Sequence, residues 1–146
     1  MCMKIVVDEV CDEGLKNYLL SQNGILTVTI VVKDFLSEIN IEYEKDITAF
    51  MIREYLRLYL DHEYPILVSF DKKVEKQCKR LKYLIKDMCC EYCYKSLVEA
   101  LFNNPSVVSI CSNFKFDAPA FDVEFDIGYD EKLNEKEIIK FIQDNA

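Results

Sequence analysis

Residues that break or loosen a fold are scarce in this chain. Of 146 residues only three are glycine and three proline, and tryptophan is absent. That composition excludes collagen-like and low-complexity disordered chains. Histidine occurs once, at His62, a loop residue with no evident partner in sequence, so a histidine-dependent mechanism finds little support. No apolar run approaches the ~18 residues needed to span a bilayer. The opening Met-Cys-Met-Lys runs into a short strand-like stretch and then acids, which is not the pattern of a signal peptide. No nucleophile–base pair, phosphate-binding loop or paired-carboxylate site stands out, and the chain is not expected to be an enzyme. Excess positive charge is missing too. The net charge of -8 argues against a nucleic-acid partner, because nothing here would neutralise a run of phosphates.

Hydrophobic residues make up 51% of the chain and charged residues 30%, the balance of a folded soluble protein. The length fits one ordinary domain or two minimal ones, each with a small core. Charge is uneven. Residues 1–72 hold 13 acids against 7 bases, whereas residues 73–146 hold 13 against 11. Lys72, Lys73, Lys76, Lys79, Arg80 and Lys82 cluster at the join, and the acidic first half suits solubility or a basic partner. There are seven cysteines, Cys2, Cys11, Cys78, Cys89, Cys90, Cys93 and Cys111. An odd number without secretion points to reduced thiols and a cytoplasmic location, where metal or redox chemistry is commoner than a disulfide framework.

Periodicity repeats the same series of elements. Residues 3–8 read as a strand, and residues 12–22 as a helix through Leu15, Tyr18, Leu19 and Gln22, closed by Asn23-Gly24. Residues 25–32 form a β-branched run, and Ile39, Ile41 and Tyr43 alternate with polar residues as a half-buried strand does. Thr48 caps a helix with Ile52, Tyr55, Leu56 and Tyr59 inward, and residues 66–70 form a further strand. After residues 72–79, a linker, strand-like residues 81–86 lead to a helix through Tyr94, Leu97, Val98 and Leu101. Strands at 107–116 and 121–127 follow, and Asn134 caps a last helix with Ile138, Ile139 and Ile142 inward. A shift of 82 residues superposes Cys11 on Cys93, Leu15 on Leu97, Leu19 on Leu101 and Thr27 on Ser109, an internal duplication. The second copy stops before a last strand. Cys111 is expected to be a small core hydrophobe, and Tyr64 a core residue.

The chemically loaded segment is Met88-Cys89-Cys90-Glu91-Tyr92-Cys93, where a predicted strand meets a predicted helix. Thiols at i and i+3 converge there, and the helix N-terminus favours the thiolate that binds metal. Two thiolates suit Cu(I), which accepts low coordination numbers, whereas tetrahedral Zn(II) requires two further ligands.

Met88, Cys90 and Cys93 match the Met-x-Cys-x-x-Cys motif, and the chain resembles the heavy-metal-associated domain family. That family includes copper chaperones and the cytosolic N-terminal domains of metal-transporting P-type ATPases. Leu97, Leu101, Ser106-Val107 and Ile138-Ile139 fall where the family has core or turn residues. The resemblance implies an α+β chain of two tandem ferredoxin-like βαββαβ domains, 1–71 and 80–146, the second lacking its last strand. It implies that Cys90 and Cys93 bind a soft ion, Cu(I) foremost and otherwise Zn(II), Cd(II) or Hg(II), and pass it to a partner metal-handling protein or ATPase domain by ligand exchange. Two chains sharing one ion through facing motifs, a metal-bridged dimer, is a further possibility. The family's motif Met packs beneath the loop. Departures are Asp87 for the usual Gly, and Cys89 at the variable position, which is either a third thiolate or points away from the ion. In the first repeat Val6 replaces the Met and Asp8 the first Cys, with only Cys11 left, so residues 1–71 are expected to be a spacer, docking surface or degenerate copy. Two competing readings stand: a protein-interaction module with a relic motif, and a thiol–disulfide couple of Cys90 and Cys93.

Overall fold

The computed structural model describes residues 1–60, 64–73, 78–88, 90–115 and 121–146. The chain is mixed α+β, and the described residues hold four helices and seven antiparallel strands. In order they are β1 (Cys2–Val7), α1 (Glu13–Leu20), β2 (Ile25–Lys33), β3 (Leu36–Tyr43), α2 (Ala49–Leu60), β4 (Leu67–Asp71), β5 (Lys79–Met88), α3 (Glu91–Asn103), β6 (Val107–Ser112), β7 (Phe121–Tyr129) and α4 (Glu135–Asn145). The strands make a single sheet in the order β2-β3-β1-β4-β6-β7-β5.

Local chemistry accounts for the elements. In β1 the period of two sends Met3, Ile5 and Val7 to the core and leaves Lys4 and Val6 half-exposed. β3 does the same with Ser37, Ile39, Ile41 and Tyr43. Asp12 caps α1 by accepting from Leu15 N–H, and Thr48 Oγ1 accepts from Met51 N–H at the start of α2. Asn134 and Glu137 form a reciprocal capping box on α4. Helix α1 lies on β2, α3 lies on β4 and β6, and the helices touch in the sequence α1-α2-α3-α4. The surface of the sheet away from this layer is polar, with Glu38, Asn40 and Glu42 on β3 and Asp122, Glu124 and Asp126 on β7.

The two halves of the sheet meet at β4 and β6. Their ladder is short, Phe70 opposite Ile110 and Asp71 opposite Ser109, extended by Lys72 N–H donating to Val108 O at 2.8 Å. Side chains reinforce it. Phe70 meets Phe102 edge-on at 5.0 Å. Arg53 of α2 pairs bidentately with Glu99 of α3, Nε to Oε1 at 2.6 Å and Nη2 to Oε2 at 3.1 Å. Backbone N–H of Ile66 also donates to Glu99 Oε1, at 3.0 Å. Lys72 Nζ donates to Asn104 O at the end of α3, at 3.1 Å, and lies over the rings of Phe70 and Phe102.

Three expected core positions are corrected. Cys111 is exposed, because the ladder of β6 and β7 shifts register between Val107 and Ser109; the bulge gives the buried side to Ile110 and turns Cys111 outward. Tyr64 is 68% exposed, since Pro65, Ile66 and Leu67 take the buried positions leading into β4. Tyr59 also sits at the surface, its ring tilted against that of Tyr18 beside the start of α1 rather than inside. His62, Phe116 and residues 74–77 of the expected linker lie outside the described residues. No helix among the described residues is long and apolar enough to cross a membrane.

Candidate metal centre

The junction of β5 and α3 begins with a backbone kink. Ile85 and Met88 are separated by a register shift against β7, and Asp87 adopts a φ of 56°, the left-handed region that glycine enters freely. Aspartate is among the residues that tolerate it, and here Asp87 N–H is held by Asp122 Oδ1 at 3.1 Å. The kink turns Met88 inward, where it is 8% exposed and packs in the core beneath the turn.

Cys90 is the last extended residue before α3, with φ -142° and ψ 128°. Its sulfur makes no full capping hydrogen bond, yet it lies against the opening N–H groups of the helix. Cys93 N–H lowers the Cys90 thiol below its ordinary range, Tyr92 N–H and the Cys93 side chain add to this, and partial desolvation and the Glu91 charge oppose it. Cys90 is half-buried and Cys93, in the first helical turn, is exposed. The pair therefore combines a thiol biased toward thiolate with an accessible neighbour three residues on. Cys89 lies outside the described residues. Among the described residues no cluster of three or more His, Cys, Asp or Glu side chains surrounds a common point.

The helix carrying these thiols is firmly seated. Tyr94 is buried; its hydroxyl donates to Val68 O at 2.7 Å and lies 2.6 Å from Ser112 Oγ. Its ring stacks on Phe114 at 4.2 Å and Phe125 at 5.5 Å. Burial pushes its phenol up to about 12, with the Ser112 bond opposing. Tyr94→Phe is expected to cost about 1–3 kcal/mol by leaving buried partners unpaired; urea denaturation checks this, and an unchanged midpoint would show that these bonds carry no weight. One turn of α3 also reaches the first half, where Lys95 Nζ pairs with Asp8 Oδ2 at 3.1 Å and more loosely with Glu91 at 3.9 Å.

The corresponding loop of the first half is built differently. Cys11 is buried, and its N–H donates to Ser37 Oγ at 2.8 Å, which in turn donates to Glu9 O at 2.6 Å. Burial raises the Cys11 thiol, against the Ser37 bond. Asp8, at the position matching Cys90, is engaged by Lys95. Cys2 and Cys111 are exposed and Cys78 is half-buried, on β1, β6 and the approach to β5. Lys95 escaped the reading of the sequence because a lysine inside a helix carries no local sign of a partner 87 residues away.

A cysteine pair at a helix N-terminus is the class of site the geometry defines. Searches of protein-family models, curated proteins and solved structures return no match to the chain.

Proposed function

We propose that this chain binds a soft metal ion through Cys90 and Cys93 and hands it to a partner by thiolate exchange, with Cu(I) the ion it suits best. The observation that carries this reading is the pairing of a thiol lowered by helix N–H groups with an exposed thiol one turn on. Two such sulfurs complete a low-coordinate Cu(I) site, and the exposed sulfur is open to an incoming donor thiolate. Hg(II) also accepts two thiolates, whereas Zn(II) and Cd(II) would draw on further ligands, for which Cys89 is the nearest cysteine in sequence. The chemistry is binding and transfer, without a catalytic step.

On this reading the chain is a tandem pair of ferredoxin-like units, 1–71 and 80–146, of the heavy-metal-associated kind, acting in the cytoplasm with a metal-handling protein or ATPase domain. The order βαββαβ followed by βαββα, and the strand order β2-β3-β1-β4 in the first half, support it. The left-handed Asp87, where the family uses Gly, supports it as well. The first unit then serves as a scaffold, because its remaining thiol is buried and its carboxylate is engaged with Lys95.

The test is anaerobic Cu(I) competition against a chromogenic chelator in reductant. Wild type and Cys11→Ser are expected to capture copper alike, and Cys90→Ser and Cys93→Ser to lose it; Cys89→Ser reports whether a third thiolate contributes. A wild type unable to outcompete a weak chelator would overturn the proposal and favour an interaction module. A dithiol potential matched to cellular redox partners, with no metal capture, would favour the thiol–disulfide couple.

A further inference from the structure

Among the described residues the sheet ends in two unpaired edges, β2 and β5, which are managed in opposite ways. On β5 the edge carries Lys79, Arg80, Lys82 and Lys86, cations of the kind that deter strand pairing. On β2 the edge runs Ile-Leu-Thr-Val-Thr-Ile-Val-Val through residues 25–32, without a charge, proline or glycine, and ends in Lys33. Leu26 is 53% exposed, Val31 53% and Val32 47%. A long, neutral, apolar edge is a template for another strand.

The hairpin at the end of this edge is unusual. Asp34 and Phe35 form its two-residue turn with φ of 52° and 68°, positions that favour Asn or Gly. Phenylalanine there is strained and also 83% exposed, so neither the turn nor the core explains it. At the opposite end of β2 an open groove of about 600 Å³ is lined by Met1, Leu26, Tyr43, Glu44, Lys45 and Asp46. Glu44 N–H donates to Gly24 O at 2.8 Å, fixing these acids beside the start of β2.

From these observations we infer that β2 pairs antiparallel with β2 of a second copy of this chain, forming a closed two-fold dimer. A two-fold axis near Thr29 brings the end of one strand against the beginning of the other. Phe35 of each copy then meets the apolar groove at Leu26 and Tyr43 of its partner. Lys33 and Asp34 at the tip of each copy face the partner's Glu44, Lys45 and Asp46, a mixed set in which each charge finds an opposite one, and the arrangement is satisfied twice. A second copy fits better than the basic β5 edge, which offers this neutral strand no charge to answer. The two strands and two anchors bury on the order of 1,000 Å², near the lower limit for a specific interface. The pairing is independent of the metal reading.

The test is sedimentation equilibrium over a concentration series, in reductant with a metal chelator, on wild type, Val31→Lys and Phe35→Gly. Wild type is expected to show a monomer–dimer equilibrium that each substitution weakens about tenfold or more. Phe35→Gly relieves the left-handed strain, so its melting temperature under dilute, monomeric conditions is expected to hold or rise. That separates lost pairing from lost fold. Any of three results would overturn the inference: a wild type monomeric throughout, a dimer indifferent to both substitutions, or open-ended assembly beyond the dimer.

Discussion

Glu99→Ala is expected to destabilise the folded chain by about 3–5 kcal/mol at pH 7, the cost of removing one partner from a buried ion pair. The Arg53 and Glu99 side chains are 8% and 13% exposed, so water cannot replace what is lost. Three groups are affected together. Arg53 Nε and Nη2 lose their acceptors and Ile66 N–H loses Glu99 Oε1, while Arg53 Nη1 is already buried without a hydrogen-bond partner among the described residues. A shift in melting temperature of about 10 °C is the corresponding thermal signature for a chain of this size. Glu99→Gln combined with Arg53→Met keeps an acceptor for Ile66 N–H and removes both charges. Its expected loss is smaller, about 1–2 kcal/mol or less. Urea denaturation of the three proteins measures the differences. If Glu99→Ala cost no more than the double substitution, the ion pair would not be what holds α2 to α3.

The position of this pair explains why its loss is expected to matter beyond stability. The backbone ladder between β4 and β6 is short. What fixes the second half's helix α3 against the first half is a set of side-chain ties: Arg53 to Glu99, Tyr94 to Val68 O, Lys95 to Asp8 and Lys72 to Asn104 O. Two of these four lie within the first turn and a half of α3, next to Cys90 and Cys93.

Much of this architecture was legible in the sequence because it is local. The β-branched run at 25–32, the alternation of Ile39, Ile41 and Tyr43, and the caps at Thr48 and Asn134 each state a local preference that the fold keeps. The position of Cys90 and Cys93 at a strand-to-helix turn was legible for the same reason. What was not legible depends on contacts between distant elements. Cys111 fails as a core residue because one bulge reverses the side on which a strand's residues point, and no residue type announced that bulge. The joining of β4 to β6 was not legible, since neither strand names its partner in its own residues. Lys72 falls in the expected linker and nothing in the sequence marks Arg53 on its helix, yet both are buried at the join. Long side chains reveal their partners only after the chain has folded.

Lys72 gives the second large effect, and its sign is opposite. It is 9% exposed, and burial lowers its ammonium from 10.5 to about 8, with Asp130 opposing. The folded chain therefore disfavours the protonated amine more than the unfolded chain does. That penalty is complete below pH 8 and fades as pH rises through 10.5, above which both states are neutral. The difference between the two values corresponds to about 3 kcal/mol. Lys72→Met preserves the length and the contact with Phe70 and Phe102 while removing the charge, although Asn104 O loses its donor. At pH 7 the substituted chain is expected to be more stable than wild type by about 1–3 kcal/mol. The advantage should shrink between pH 8 and pH 10.5, because wild type gains stability there and the methionine chain has no such gain. Cysteine and tyrosine titrations in that range are common to both chains and cancel in the difference. Urea midpoints at pH 7 and near pH 10 decide the matter. A constant gap, or one that widens with pH, would mean that the amine at the end of α3 is held by Asn104 O, Asp130 and the two rings firmly enough to offset its burial. The join between the halves would then rest on a charge that the fold stabilises.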